Sequence, residues 1–131
     1  MATEFSLWTH SAKAENDLSA CQYHIVELSA ADQVDVCDGA GDIPYGVLQN
    51  KPEAGESAAV MFLGISKVYS DGSGTGVPFD VGDWVGTNAS GHAIKKSADK
   101  DIVLGQALDA STALGTIVRV KLTGPFYISA T

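Results

Sequence analysis

Apolar and polar positions along the 131-residue chain alternate in short runs, and turn residues close almost every run. In residues 21–28, Gln22, His24, Val26 and Leu28 fall on one side of an extended chain and Tyr23, Ile25 and Glu27 on the other, which predicts a strand. Residues 34–37 predict a second strand. Residues 45–49 predict a third, opened by Pro44 and closed before Asn50-Lys51-Pro52. Val60-Met61-Phe62-Leu63-Gly64-Ile65 is a continuous apolar run, the pattern of a strand covered on both faces, and Lys67-Val68-Tyr69 carries it outward. Short strands are further expected at 81–85, 92–95 and 102–108. Residues 116–122 alternate, with Val118, Val120 and Leu122 facing in and Ile117, Arg119 and Lys121 facing out or toward a neighbour.

The first twenty residues differ from the rest. They hold no glycine, and Phe5, Leu7 and Trp8 sit in a polar background. This reads as an extended arm that gains order against a partner, or as a segment folded back as an edge strand. Residues 14–20 could form one helical turn. Farther on, Asp42-Ile43-Pro44-Tyr45-Gly46 is echoed by Asp101-Ile102-Val103-Leu104-Gly105, 59 positions later, and Val60, Phe62 and Gly64 by Val120, Leu122 and Gly124, 60 positions later. The shared order of an Asp-Ile-x-x-Gly motif, a turn glycine and a buried strand predicts an internal duplication. The fold class expected is all-β: a small barrel or β-tulip-like domain over 21–123 with weak internal duplication, preceded by an N-terminal arm over 1–20 and followed by a tail over 124–131.

Charge narrows the functional classes. Eight Lys and Arg residues face 16 Asp and Glu, a net charge of −8, and Arg119 is the one arginine. A nucleic-acid binder needs a basic face to neutralise phosphates, so direct nucleic-acid binding is not expected, nor binding to an anionic membrane. No run approaches the roughly 18 apolar residues of a membrane-spanning helix. The first ten residues lack the basic and apolar regions of a secretory signal. Fourteen glycines, from Gly39 to Gly124, suit strands joined by turns and disfavour a helical bundle. Cys21 and Cys37, 16 positions apart, read as free half-buried thiols, with a disulfide left open.

No catalytic, cofactor-binding or metal-ligating set is predicted. Gly72-Ser-Gly-Thr-Gly76 lacks the Gly-Lys-Ser/Thr ending of a phosphate loop and reads as a hairpin tip. Asp35, Asp38 and Asp42 form an acidic patch, but a calcium loop beginning at Asp38 would need Gly and Glu where Ile43 and Gln49 stand, so a solvated turn is expected. His10, His24 and His92 lie far apart in sequence. Lys95, Lys96 and Lys100 read as an exposed turn or a docking contact for an acidic partner. Asn88-Ala89-Ser90 fits a glycosylation sequon and has no meaning without secretion. Trp84 is expected in the core. Trp8, in the polar arm, reads as an aromatic anchor into another chain.

Four pieces in order, Gly46-Val47-Leu48-Gln49-Asn50, Pro52-Glu53-Ala54-Gly55-Glu56, Gly64-Ile65-Ser66-Lys67-Val68 and Gly105-Gln106-Ala107-Leu108, resemble the small capsid cement, or decoration, proteins of tailed bacteriophages. The resemblance spans roughly residues 20–122. It implies a β-rich, barrel-like fold and homotrimers at local threefold axes, on the outer surface of the head. It further implies the major capsid protein as partner, no catalytic residues and no cofactor. The Ser70–Asp80 loop and the tail after Gly124 run longer than that pattern. Phe5, Leu7, Trp8, Arg119 and Lys121 are the interface residues expected for such a role. A small β-barrel ligand- or carbohydrate-binding module is the alternative.

Overall fold

Nine strands carry the regular structure: β1 (Phe5–Ala14), β2 (Ile25–Ala30), β3 (Gln33–Val36), β4 (Gly46–Leu48), β5 (Ser57–Asp71), β6 (Trp84–Thr87), β7 (Ala93–Lys95), β8 (Ile102–Ala107) and β9 (Leu114–Tyr127). The structure, a computed structural model, describes residues 5–39, 41–73 and 78–129; the side chains of residues 5–7, and most of the hairpin tip expected at Gly72–Gly76, lie outside the described part. Among the described residues there is no helix.

The strands run in the order β1-β3-β2-β4-β5-β7-β6-β8-β9, with additional pairings of β5 to both β1 and β9. Those two pairings close two five-stranded rings, β1-β3-β2-β4-β5 and β5-β7-β6-β8-β9, that share the long strand β5. Closure leaves neither ring with a free sheet edge along its paired length, which protects a short β-rich chain from edge association.

The duplication expected from sequence is realised residue by residue. Val26 pairs with Gly46 and with Val36 in the first ring; 59 positions later, Val85 pairs with Gly105 and with Lys95 in the second. Each ring has one parallel contact, β1 with β3 and β5 with β7. The turn before each Asp-Ile motif has the same hydrogen bonds. The Asp42 N–H donates to the Gly39 carbonyl at 3.1 Å and its Oδ2 accepts from the Gly39 N–H at 2.9 Å; Asp101 does the same with Ala98, at 3.1 and 2.9 Å.

The motif glycines are required by close approach. A Cβ on Gly46 would stand 2.5 Å from the Met61 carbonyl oxygen, and one on Gly105 2.2 Å from that of Lys121. Neither carbonyl can retreat without breaking its strand pairing, so only glycine fits at both places.

Two apolar clusters follow the rings. Ala12, Ala14, Leu18, Val26, Val34, Leu48, Ala58 and Val60 fill the first. Val68, Phe79, Val85, Leu104, Val118, Val120 and Leu122 belong to the second, where Ile25, Cys37, Val47 and Met61 from first-ring strands also pack. That shared packing joins the rings into one unit. The inward placement of Val118, Val120 and Leu122 agrees with the alternation read from sequence, and Ile117, Arg119 and Lys121 face outward.

Several expectations change. Residues 5–14 form β1, antiparallel to β5 from Phe5↔Ile65 to Lys13↔Ser57, so over this stretch the folded-back strand, not a free arm, is what the structure holds. Its inward positions are the small Ala12 and Ala14, which carry little apolar signal in the sequence. No helical turn forms at 14–20; the Glu15 and Leu18 N–H groups donate across the fold to Val34 and Pro52 carbonyls. Residues 21–24 are a turn before β2, with Tyr23 at φ 68°, because the Cys21 and His24 N–H groups bond back to Leu18 and Cys21. Trp84 is not in the core. It opens β6 after the turn at Gly82 (φ 94°), and Val85 takes the inward position. β9 continues through Gly124 to Tyr127. Cys21 and Cys37 are both free thiols, and burial pushes the Cys37 thiol up to about 12.

Candidate binding surface

An apolar stripe crosses both rings on the outside. It starts at Trp8 on β1, which is 62 % exposed. The Trp8 ring lies 6.1 Å from the Phe62 ring on β5, and Phe62 is stacked on Tyr45 at 6.0 Å. Tyr45 is fixed by its hydroxyl, 2.6 Å from His10 Nδ1. With Leu28, Ile43, Pro44 and Pro125 it lines a groove of about 290 Å³. Ile43 and Pro125 also line an adjoining depression of about 100 Å³ with Ile102, Phe126 and Tyr127. Phe126 then meets Trp84 edge-on at 5.2 Å. The two tryptophans therefore mark the ends of one surface. Leu28, Ile43, Trp84, Phe126 and Tyr127 are all exposed along it. With Trp8 they present on the order of 600 Å² of mostly apolar area, the upper end of what isolated domains leave uncovered.

Of the interface residues read from sequence, Trp8 lies on this stripe. Phe5 and Leu7 belong to β1, but their side chains lie outside the described residues. Arg119 is committed within the chain. Its Nε and Nη2 each donate to the Asp109 carboxylate at 2.9 Å, which holds Asp109 below the usual carboxylate range. Lys121, two residues on, faces solvent. Leu28, Ile43, Phe126 and Tyr127 were not singled out by sequence. The exposed Ile in the Asp42-Ile43-Pro44 motif is the one local signal that could have found the groove.

The acidic patch is organised, and its main member was missed in the sequence. Glu27, on β2, brings a carboxylate to within 4.8 Å of the Cys37 sulfur and an Asp42 oxygen. Its hydrogen bond with the Asp42 carboxyl, then burial, then the charges of Asp42, Asp38 and Asp35 push Glu27 up to about 7, while Asp42 is held below its usual value by the same bond. Near neutrality the pair shares a proton and the thiol is protonated. Glu27 lies on the Ile25 side of β2, which is the period-two signal for its inward aim.

Two of the histidines come together. The His24, Tyr69 and His92 rings lie 4.7–4.9 Å from one another, and burial lowers both imidazoles. His10 is elsewhere, between Tyr45 and Asp32, with Nε2 3.8 Å from Asp32. The lysine cluster is dispersed. Lys95 lies 3.8 Å from Asp83, Lys96 is buried and Lys100 is exposed.

No curated protein sequence matches the chain. Among solved structures, the N base of head fiber gp8.5 from bacteriophage phi29 has the same fold, with a TM-score of 0.64 at 20 % identity over 88 % of this chain and 93 % of that one. The family model described as phage cement protein matches residues 12–122, through both rings, from β1 into β9. The chain belongs to the phage cement protein family.

Proposed function

We propose that the protein is a structural part of a phage virion that binds the outer surface of the shell. It acts as trimers at local threefold axes and stabilises the expanded head against the pressure of packaged DNA. Its partners are the major capsid protein and its own copies; it is made in the host cytoplasm and carries no catalytic role. Family membership over residues 12–122 is the observation that carries this reading. The geometry suits it. A doubly closed β unit resists deformation, and an exposed apolar stripe on that unit supplies a contact surface whose modest affinity is multiplied when copies are linked by symmetry. Trp8 and Lys121 belong to the contact surface in this reading, with the β1 residues Phe5 and Leu7. Arg119 braces the β9 strand that presents Lys121. The net charge of −8 keeps the outer protein from attracting DNA.

The test uses expanded heads of the source phage assembled without this protein. Added protein should co-sediment with them, saturate at copy numbers in multiples of three per threefold site, and raise the temperature at which heads release DNA. Protein that stays in the supernatant at saturating concentration would overturn the reading.

A further inference from the structure

The second ring shows what should cover the groove in the first. Ile43 and Ile102 stand at matching places in the two Asp-Ile motifs, yet Ile43 is 61 % exposed and Ile102 is 9 % exposed. Ile102 and Val103 are covered because β9 runs on beside them, pairing Tyr127 with Ile102 and Phe126 with Val103. In the first ring β5 takes the part of β9. It pairs Val47 with Met61 and Leu48 with Val60, as Gln106 pairs with Lys121 and Ala107 with Val120. Past Gly64, however, β5 leaves to pair Ser66 and Lys67 with Val120 and Arg119 of the second ring. One strand cannot lie in both places, so neither Ile43 nor Pro44 is paired with a strand among the described residues.

Resting on the shell-binding reading above, we infer that the groove of Leu28, Ile43, Pro44, Tyr45 and Pro125 receives an extended, apolar segment of the shell protein. The segment lies beside Ile43 as Phe126–Tyr127 lies beside Ile102, and it carries lysine or arginine toward Asp38 and Asp42. The shape comes from the matched ring. Alternate side chains of the incoming strand enter the two apolar depressions. The charge comes from the rim. Asp38 and Asp42 sit on the loop leading into Ile43, with Glu27 and Asp35 near them. A second copy of a chain of net charge −8 would bring the same sign to that rim, whereas a cationic segment complements it.

The test compares wild type with Ile43→Glu and, separately, Leu28→Glu, both at exposed positions, by co-sedimentation with heads assembled without this protein and by sedimentation velocity of the free proteins. The expected result is at least tenfold weaker head binding for each variant, with an unchanged unfolding midpoint and unchanged sedimentation. Wild-type affinity should also fall as salt rises. Wild-type binding by both variants would overturn this inference and leave shell binding itself standing. Dissociation of the free variants into smaller species would overturn it in favour of a second copy in the groove. Salt-independent affinity would overturn the cationic segment. Failure of wild type to bind heads would remove the shell-binding reading and the occupant together.

Discussion

Gly46 and Gly105 occupy the same place in the two rings, as do Asp42 and Asp101, yet Ile43 stands open where Ile102 lies under Tyr127. The match extends to the end of each motif. Asn50 Oδ1 accepts from the Ala59 N–H at 3.0 Å, and Asp109 Oδ2 accepts from the Arg119 N–H at 2.9 Å. What differs is the strand supply. The second ring has the whole of β9 to itself, while the first shares β5 and loses it at Gly64. A duplicated unit that shares one strand must leave one copy incomplete, and that incompleteness is where a partner gains most by binding.

The largest expected effect comes from emptying either interior. Leu48→Ala and Leu104→Ala each remove a fully buried side chain from one ring and should each cost about 2–5 kcal/mol in urea unfolding. Because β5 serves both rings, each variant should still unfold in a single calorimetric transition; two separated transitions would mean that the rings are independent.

Next in size are Gly46→Ala and Gly105→Ala. Each forces a Cβ against a strand carbonyl, with an expected cost of about 1–3 kcal/mol and similar values in the two rings. A large loss at one and none at the other would break the equivalence.

Glu27 has no counterpart in the second ring, where Gly86 stands 59 positions later. A carboxyl raised from 4.5 to about 7 favours the folded state fully below 4.5, and that contribution is lost as pH rises toward 7. Glu27→Gln should therefore gain stability over wild type between pH 4.5 and 7, with the difference level above that. Melting temperatures of the two proteins at pH 5 and pH 8 check it; a constant difference would contradict the shared proton. Asp42, held low, contributes in the opposite sense, losing stability below 3.8 and so outside this window. His24 and His92 lose stability as pH falls below 6.5, but in both proteins alike.

Asp109→Asn should have the smallest effect. It leaves the cap on β9 that Asn50 already provides on β5 and removes only the half-exposed ion pair with Arg119. Its melting temperature should fall by the least of the series, and a fall as large as that of Gly105→Ala would show the ion pair to be structural.

Much of this was readable from residues. The strands at 34–37, 60–69, 102–108 and 116–122 follow from period-two alternation and buried runs, and the Asp-Ile-x-x-Gly echo disclosed the duplication. Other features depend on tertiary context. Leu28 shares a face with buried Val26 in the sequence pattern, but the strand outruns the core and leaves Leu28 exposed. Trp84 looked like core because large aromatics usually are, yet the turn at Gly82 sets its register outward. The groove joins Leu28 to Pro125, residues 97 positions apart, and no local pattern can show such a contact.

Hydrogen exchange at the Ile43 amide, in free protein and on heads, tests the uncovered edge most directly. The amide has no partner among the described residues and should exchange rapidly in free protein, then slow at least tenfold once the segment covers it on heads, while buried Val103, paired with Phe126, stays slow in both states. Equal exchange at Ile43 in the two states would contradict the account.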